Sequence, residues 1–398
     1  MDVVQALENP SNGKAIKCID MHTTGEPTRV VYSGFPSLAG TLLDQREQAV
    51  SKYDHIRRRI MLEPRGHADM YGAILTAETE LVQSGDAHIG VLFIHNGGFS
   101  TMCGHATIGL GRFLVDTHDL HVFPKRNELK PNLESAQVEV NIHAPCGLIR
   151  VSVPTTPDGQ KSDPSRPVAF LSAPAYAAAT DLRVSIPTDF RWPELGNRES
   201  VALDISYGGA FYALVDVREM GFNGLSSVDM RSMACAVGKL KALLETHPDV
   251  LKALQNAVDK RLSFLYSVMV VDRTVGSRPE GVDGTETGVC FFADNQVDRS
   301  PTGSCVTARM ALANAKGIRP PGQRWAYNSL VSNHFNTGAF TASILEGTTR
   351  VDMINGGFKD AVTVCVQGNA YYTGAATFAV EEGDVTSQNG FTMKEVVH

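Results

Sequence analysis

The sequence predicts an α+β protein built from two homologous halves, each with a helix buried inside a sheet. Three observations carry this expectation. Adding 199 to each position of Val91–Asn96 places the segment on Cys290–Asn295, so that Phe93 meets Phe292 and Asn96 meets Asn295; at the same offset Cys103-Gly104 meets Thr302-Gly303. An offset of 184 lays Asp20–Val31 over Asp204–Val215, with Gly25 on Gly209. Strand-like and helical patterns also alternate in both stretches. Each match is weak alone, but two in the same order, with offsets that differ by a plausible insertion, indicate a duplicated half.

The elements follow in order. Thr28–Tyr32 and Phe211–Val215 are short β-rich runs closed by Gly or Asp, and Ile89–Ile94 and Gly288–Phe292 are apolar and strand-like. Leu42–Met61 and Ser227–Thr246 carry apolar residues at helical spacing, the second stopping before Pro248. Ser304–Lys316 reads as a helix with Lys316 and Gly317 as stop signals. Its counterpart, His105–Val115, contains Gly109 and Gly111. Glycine costs about 1 kcal/mol against alanine inside a helix, so close packing is expected to compensate. The proline-rich stretches Pro154–Pro167 and Pro174–Pro187 mark the expected linker region. The halves are read as residues 1–160, carrying Cys103 and completed by 346–398, and residues 161–345, carrying Thr302.

With 398 residues the chain can bury a large core. Hydrophobic residues at 43% and charged residues at 20% are ordinary for a soluble globular protein. A net charge of -7 without a basic run gives no electrostatic footprint for nucleic acid or anionic membrane. No apolar stretch approaches the roughly 20 residues of a spanning helix. Met1–Lys17 is polar and lacks the apolar centre of a signal peptide, so the expected location is cytoplasmic. Seven cysteines without CxxC spacing argue for reduced thiols, and neither a disulfide framework nor a zinc site.

Both repeats place a small polar residue and a glycine at the start of a buried helix. Free N–H groups there, with the positive end of the helix dipole, make an anion site, and two such ends sharing a pocket would hold one carboxylate. A thiol in that position has its pKa lowered from about 8.5, which would make Cys103 a proton-abstracting base. The alternative is a small buried hydrophobe. Thr302 is an ordinary N-cap residue type, raised only by its alignment with Cys103; its hydroxyl is too weak an acid to serve as a free base. Cys18, Cys146, Cys235, Cys290 and Cys365 are expected as core thiols, and Cys305, one turn into the second helix, stays open. Asp298, in Asp298-Arg-Ser-Pro301, is a turn residue or a partner for an amino-acid ammonium. His105 as a lone Cys-x-His is a poor metal signal. Glu63–Gly72 reads as a structured loop of open role. GxGxxG after a strand, Walker and HExxH motifs are absent from the sequence, which favours a mechanism without cofactor or metal.

The blocks Met21–Pro27, Glu63–His67, Met102–His105, Asp204–Gly209 and Asp298–Gly303, five in order across residues 16 to 350, resemble the proline racemase superfamily. The resemblance implies a diaminopimelate-epimerase-like fold, two pseudo-symmetric halves each with a sheet wrapped around a central helix, an active site between them, and no organic cofactor or metal. Racemases and 4-hydroxyproline epimerases of this family use two cysteines, one on each face of Cα. Here the first, Cys103, is kept and the second is Thr302, a pairing similar to that of the trans-3-hydroxy-L-proline dehydratases. The implied reaction is Cα deprotonation by Cys103 and loss of the 3-hydroxyl as water, giving Δ1-pyrroline-2-carboxylate. Thr302-Gly-Ser304 fits that subgroup, whereas Cys305 departs from the usual glycine. The implied substrate contacts are the backbone N–H groups of Gly104, His105, Gly303 and Ser304 for the carboxylate, Asp298 and His105 for the ring nitrogen or carboxylate, and Tyr71 and Phe292 as pocket wall. A racemase or epimerase of proline or a hydroxyproline is the alternative, and a non-catalytic amino-acid-binding homologue the third reading. The expected partner is a small hydroxyproline-like molecule, with a homodimer left open.

Overall fold

The computed structural model describes residues 15–381 and 383–397, without the side chains of 346–348. The stretch Met1–Lys14 of the polar N-terminal segment lies outside the described residues. The chain divides into two compact units, one ending at Ala169 and resuming at Asn369, the other running from Phe170 to Gly368. Both crossing points lie further along the chain than the boundaries read from the sequence.

In the first unit, strand Ile16–Thr23 pairs antiparallel with Ala370–Phe378 on one side and with Glu26–Ser33 on the other. Glu26–Ser33 runs parallel to Tyr71–Thr76, which pairs antiparallel with Ile89–His95. Ile89–His95 runs parallel to Gln137–Ala144, which forms an antiparallel hairpin with Gly147–Pro154. Each parallel pairing requires a crossover. Helix α1 (Leu42–Met61) supplies the first and helix α2 (Gly104–Asp116) the second. Helix α1 begins where the sequence places it because Thr41 and Asp44 form a reciprocal capping box. Helix α2 packs against strands Ile16–Thr23, Glu26–Ser33, Gly147–Pro154 and Ala370–Phe378, and every residue from Gly104 to Val115 is buried.

The second unit repeats this order of pairings. Tyr176–Ser185, Ser200–Tyr207 and Phe211–Asp216 are antiparallel neighbours. Phe211–Asp216 runs parallel to Leu265–Asp272, which pairs antiparallel with Gly284–Phe292. Gly284–Phe292 runs parallel to Arg324–Asn328, followed by antiparallel Phe340–Asp352 and Phe358–Gly368. The crossovers are helix α3 (Met230–Leu244) and helix α4 (Gly303–Ala315). Helix α4 is buried from Gly303 to Ala313. The duplication therefore extends beyond sequence likeness to the sign of every shared strand pairing. Helix α4 lies 199 residues after α2, residue for residue, as the match at that offset requires.

Three sequence readings change. Helix α3 starts later than Ser227 because Asp229 is the residue that caps it, accepting the Ser232 N–H at 2.9 Å. Pro174–Pro187 is not a linker but encloses the ten-residue strand Tyr176–Ser185; proline at its flanks does not prevent pairing between them. Cys235 is exposed and Cys365 partly so, while Cys18, Cys146, Cys290 and Cys305 are buried. The two helix glycines also separate. A Cβ on Gly111 would come within 2.8 Å of Val151 Cγ1 and 3.1 Å of Val153 Cγ2, whereas one on Gly109 would meet Met21 Sδ at an ordinary 3.6 Å. Only Gly111 is needed for close packing.

Candidate functional site

In the first unit, Cys103 is the N-cap of α2, with extended backbone and its Sγ accepting the Ala106 N–H at 3.4 Å. A sulfur in that role sits at the positive end of a helix dipole and faces a backbone donor. The His105 ring lies beside it, with Nδ1 3.2 Å from Sγ. His105 is held from two directions: Tyr71 meets it edge-on at 4.7 Å between centroids, and the Thr23 hydroxyl donates to its carbonyl at 3.0 Å. Tyr71 opens its strand directly opposite His95. Cys103, His105 and Tyr71 are all buried, so the structure brings together three of the residues named from the sequence. Thr23 precedes the turn at Thr24 and Gly25, both with positive φ, so the Met21–Pro27 block is a hairpin whose tip abuts the start of α2.

In the second unit, Thr302 stands at the same place on α4 but is built differently. It adopts φ 61°, ψ 80°, and its side chain does not cap the helix. Instead its hydroxyl donates to Asp298 Oδ2 at 2.8 Å. Left-handed backbone is rare for a β-branched residue and costs on the order of 1–3 kcal/mol. The N-capping role expected of a threonine is thus absent. The other Asp298 oxygen accepts the Ser300 N–H at 2.7 Å, and the Ser300 hydroxyl in turn accepts the Thr302 N–H at 3.0 Å. Asp298 is therefore a turn residue, as its Ser-Pro context suggests, and also the hydrogen-bond acceptor for Thr302.

Ser304 is fixed by Tyr212, whose phenol oxygen lies 2.6 Å from its Oγ. Tyr212 meets Tyr266 edge-on at 5.8 Å, and Tyr266 stacks on Phe292 at 6.5 Å, so Phe292 is joined to the start of α4 through two further aromatics. The Asp204–Gly209 block makes the matching hairpin: a Cβ on Gly208 would lie 2.2 Å from the Ser304 carbonyl oxygen. Ser300, Tyr212 and Tyr266 were not singled out from the sequence. A tyrosine within the otherwise apolar run Phe211–Val215 was the available signal for Tyr212, since a buried phenol needs a partner.

Cys305 points into the core. Burial pushes its thiol well above the ordinary thiol range, with Cys290 adding to the effect, and burial likewise raises Cys290 to about 12. Both sulfurs are neutral thiols at physiological pH. The Glu63–His67 block acquires a role. Arg65 donates to the carbonyls of Ser387 and Ala379 at 2.6 Å each, tying the C-terminal segment to the first unit, and a Cβ on Gly66 would meet the Met61 carbonyl oxygen at 2.2 Å. Among the described residues, no group of three or more His, Cys, Asp or Glu side chains is arranged to hold a metal, and no helix is long and apolar enough to cross a membrane.

A relative from Mus musculus named trans-L-3-hydroxyproline dehydratase is 40% identical over 397 residues, covering 98% of this chain and 98% of its own. A Homo sapiens relative named trans-3-hydroxy-L-proline dehydratase is 41% identical over 384 residues, covering 95% of each. Among solved structures, a hydroxyproline epimerase from Agrobacterium vitis with bound trans-4-OH-L-proline superposes with a TM-score of 0.74 at 21% identity, covering 96% of both chains. A probable proline racemase from Agrobacterium radiobacter K84 gives 0.73 at 23% identity, covering 96% of this chain and 97% of its own. These two likenesses show the fold, and the diaminopimelate-epimerase-like construction expected from the sequence holds. The family model described as proline racemase matches residues 18–392, and the chain belongs to the proline racemase family.

Proposed function

We propose that this protein is a hydro-lyase that converts trans-3-hydroxy-L-proline to Δ1-pyrroline-2-carboxylate without a cofactor. The observation that carries the reading is the asymmetry of the two helix starts: a cysteine with a histidine at 3.2 Å on α2, and a threonine bound to a carboxylate on α4. The names of relatives at about 40% identity support the substrate.

In this reading the first-turn N–H groups of Gly104 and His105 on α2, and of Gly303 and Ser304 on α4, bind the substrate carboxylate and stabilise the negative charge that develops on it. Cys103, as thiolate, removes the Cα proton; the Ala106 N–H and the helix dipole favour the charged sulfur over the thiol, and His105 orients it. The Cα–H electron pair forms the Cα–C3 double bond as the C3–O bond breaks, and the hydroxyl leaves as water with the proton that Cys103 removed. The resulting enamine tautomerises to the cyclic imine. Substrate minus one water gives the product, with no change in oxidation state overall. Thr302, with its own proton directed to Asp298, presents lone pairs that position the leaving hydroxyl. Asp298 and His105 contact the ring nitrogen or carboxylate, and Tyr71 and Phe292 form apolar wall.

Racemisation needs a second acid–base group on the other face of Cα. The neutral, buried thiols of Cys290 and Cys305 argue against either supplying it, which favours dehydration over epimerisation. The test is product analysis by NMR after incubation with trans-3-hydroxy-L-proline, trans-4-hydroxy-L-proline and L-proline. A cyclic imine from the first substrate alone is expected; an inverted Cα from any of them without imine would favour the epimerase, and binding without turnover the non-catalytic reading.

A further inference from the structure

Helix α1 sends two arginines to the loop that runs from His95 to Cys103. Arg57 is 3% exposed and donates from Nη1 to two successive carbonyls, that of His95 at 2.6 Å and that of Asn96 at 2.5 Å. Its Nε and Nη2 donate to the two oxygens of Asp54, at 2.5 and 2.9 Å, so the guanidinium is fixed from both sides. Nearer the start of the helix, Arg46 donates from Nη2 to the Phe99 carbonyl at 2.6 Å. The rest of the loop is tied as well. The Gly97 N–H donates to His95 Nδ1 at 3.0 Å, which places the ring proton on Nε2. The Ser100 hydroxyl donates to the Met102 carbonyl at 3.0 Å, and the Thr101 carbonyl accepts the Cys146 N–H at 3.2 Å.

This loop reaches Cys103 by two routes. One is its backbone, which ends at the N-cap of α2. The other is a row of rings: His95 lies 5.7 Å from Tyr71 between centroids, Tyr71 lies 4.7 Å from His105, and His105 Nδ1 stands 3.2 Å from the Cys103 sulfur. The second unit repeats the grip. Lys241, 184 residues after Arg57, projects from α3 and donates from Nζ to the Ala293 carbonyl at 3.1 Å, in a turn where Ala293 and Asn295 have φ 45° and 65°. In each half, then, a cation on the first crossover helix holds the turn that precedes the start of the buried helix. Burying a cation adds little net stability once its desolvation is counted. The gain lies in geometry, because carbonyls of a loop are held at fixed points on one helix.

We propose that Arg57 and Arg46 are positioning residues for Cys103, holding the His95–Met102 loop so that the thiol stays at the start of α2 and against His105. They act through the loop and through the His95–Tyr71–His105 row, not on the substrate. This role rests on Cys103 being the base of the proposed reaction.

The test titrates the Cys103 thiolate of the whole protein by its ultraviolet absorbance, each variant being read against the same variant carrying Cys103→Ser. Arg57→Met should move the Cys103 midpoint up by about one pH unit, as the loosened loop takes the sulfur off its N–H donor and His105. It should also lower kcat on trans-3-hydroxy-L-proline by about tenfold with KM little changed. Arg46→Met should shift both in the same direction by less. Arg57→Lys should stay near the wild type, since a lysine does the equivalent work at position 241. Wild-type midpoints and kcat in both folded Met variants, or an Arg57→Lys as impaired as Arg57→Met, would overturn the assignment. Should Arg57→Met fail to fold, Arg46→Met decides. If the wild type yields no imine, the reaction assigned to Cys103 falls, while the thiolate midpoints still decide whether the two arginines position it.

Discussion

The Thr302 hydroxyl donates to Asp298 Oδ2 at 2.8 Å while its backbone sits at φ 61°, so the side chain points away from the helix it would ordinarily cap. Two forces act on this one residue: local strain, which glycine would relieve, and a buried hydrogen bond, which only a hydroxyl supplies. They are separable. Thr302→Gly and Thr302→Ala both remove the bond, but only glycine occupies left-handed backbone freely, so the glycine variant is expected to be about 1 kcal/mol more stable than the alanine variant. Both should lose dehydration, whereas Thr302→Ser should keep much of it. Denaturant midpoints and turnover on the three proteins check this.

Cys103 is the residue on which turnover should depend most steeply. Cys103→Ser should fold with an unchanged midpoint, because serine is itself a good N-cap, yet lose on the order of 10²–10⁴ in rate as the general base disappears. The exposed Cys235 offers the control: Cys235→Ser removes a solvent-accessible thiol and should leave turnover intact.

Gly111 and Gly109 occupy one helix but answer to different constraints. Gly111→Ala should destabilise by about 1–3 kcal/mol, since its Cβ would press on Val151 and Val153. Gly109→Ala should instead be neutral or stabilising by up to about 1 kcal/mol through helix propensity. Chemical denaturation of the pair reads the contrast directly.

The Glu286 carboxylate makes acid stability a local property of the second unit. Its folded pKa, about 2, lies below the ordinary carboxylate value, so its stabilising contribution is complete above that ordinary value and is lost as pH falls toward 2. Glu286→Gln should flatten the pH dependence of the unfolding midpoint in that window and cost about 3–5 kcal/mol at neutral pH by leaving the buried guanidinium groups of Arg309 and Arg319 unpaired.

The duplicated architecture was legible because it is written in periodicity: the 199-residue offset that aligns Cys103 with Thr302 also aligns α2 with α4 residue for residue. The 184-residue offset set Gly25 on Gly209, and both lie in turns of hairpins, Thr24-Gly25 and Gly208-Gly209, whose tips meet the helix starts. What sequence did not carry was conformation set by tertiary contacts. Threonine is so common at N-caps that nothing in Thr302-Gly-Ser304 announces a left-handed residue bound to Asp298. Tyr212 reads as one more β-former until Ser304 is found 2.6 Å away. Pro174–Pro187 misled because proline marks strand ends as readily as linkers.

The account rests on removal of the Cα proton from one side only, followed by loss of the 3-hydroxyl. The direct measurement is incubation of the wild-type protein with trans-3-hydroxy-L-proline in D2O, followed by NMR of both product and recovered substrate. Formation of Δ1-pyrroline-2-carboxylate, with recovered substrate retaining its Cα configuration, is the predicted result. Recovered substrate carrying deuterium at an inverted Cα, without any imine, would contradict it.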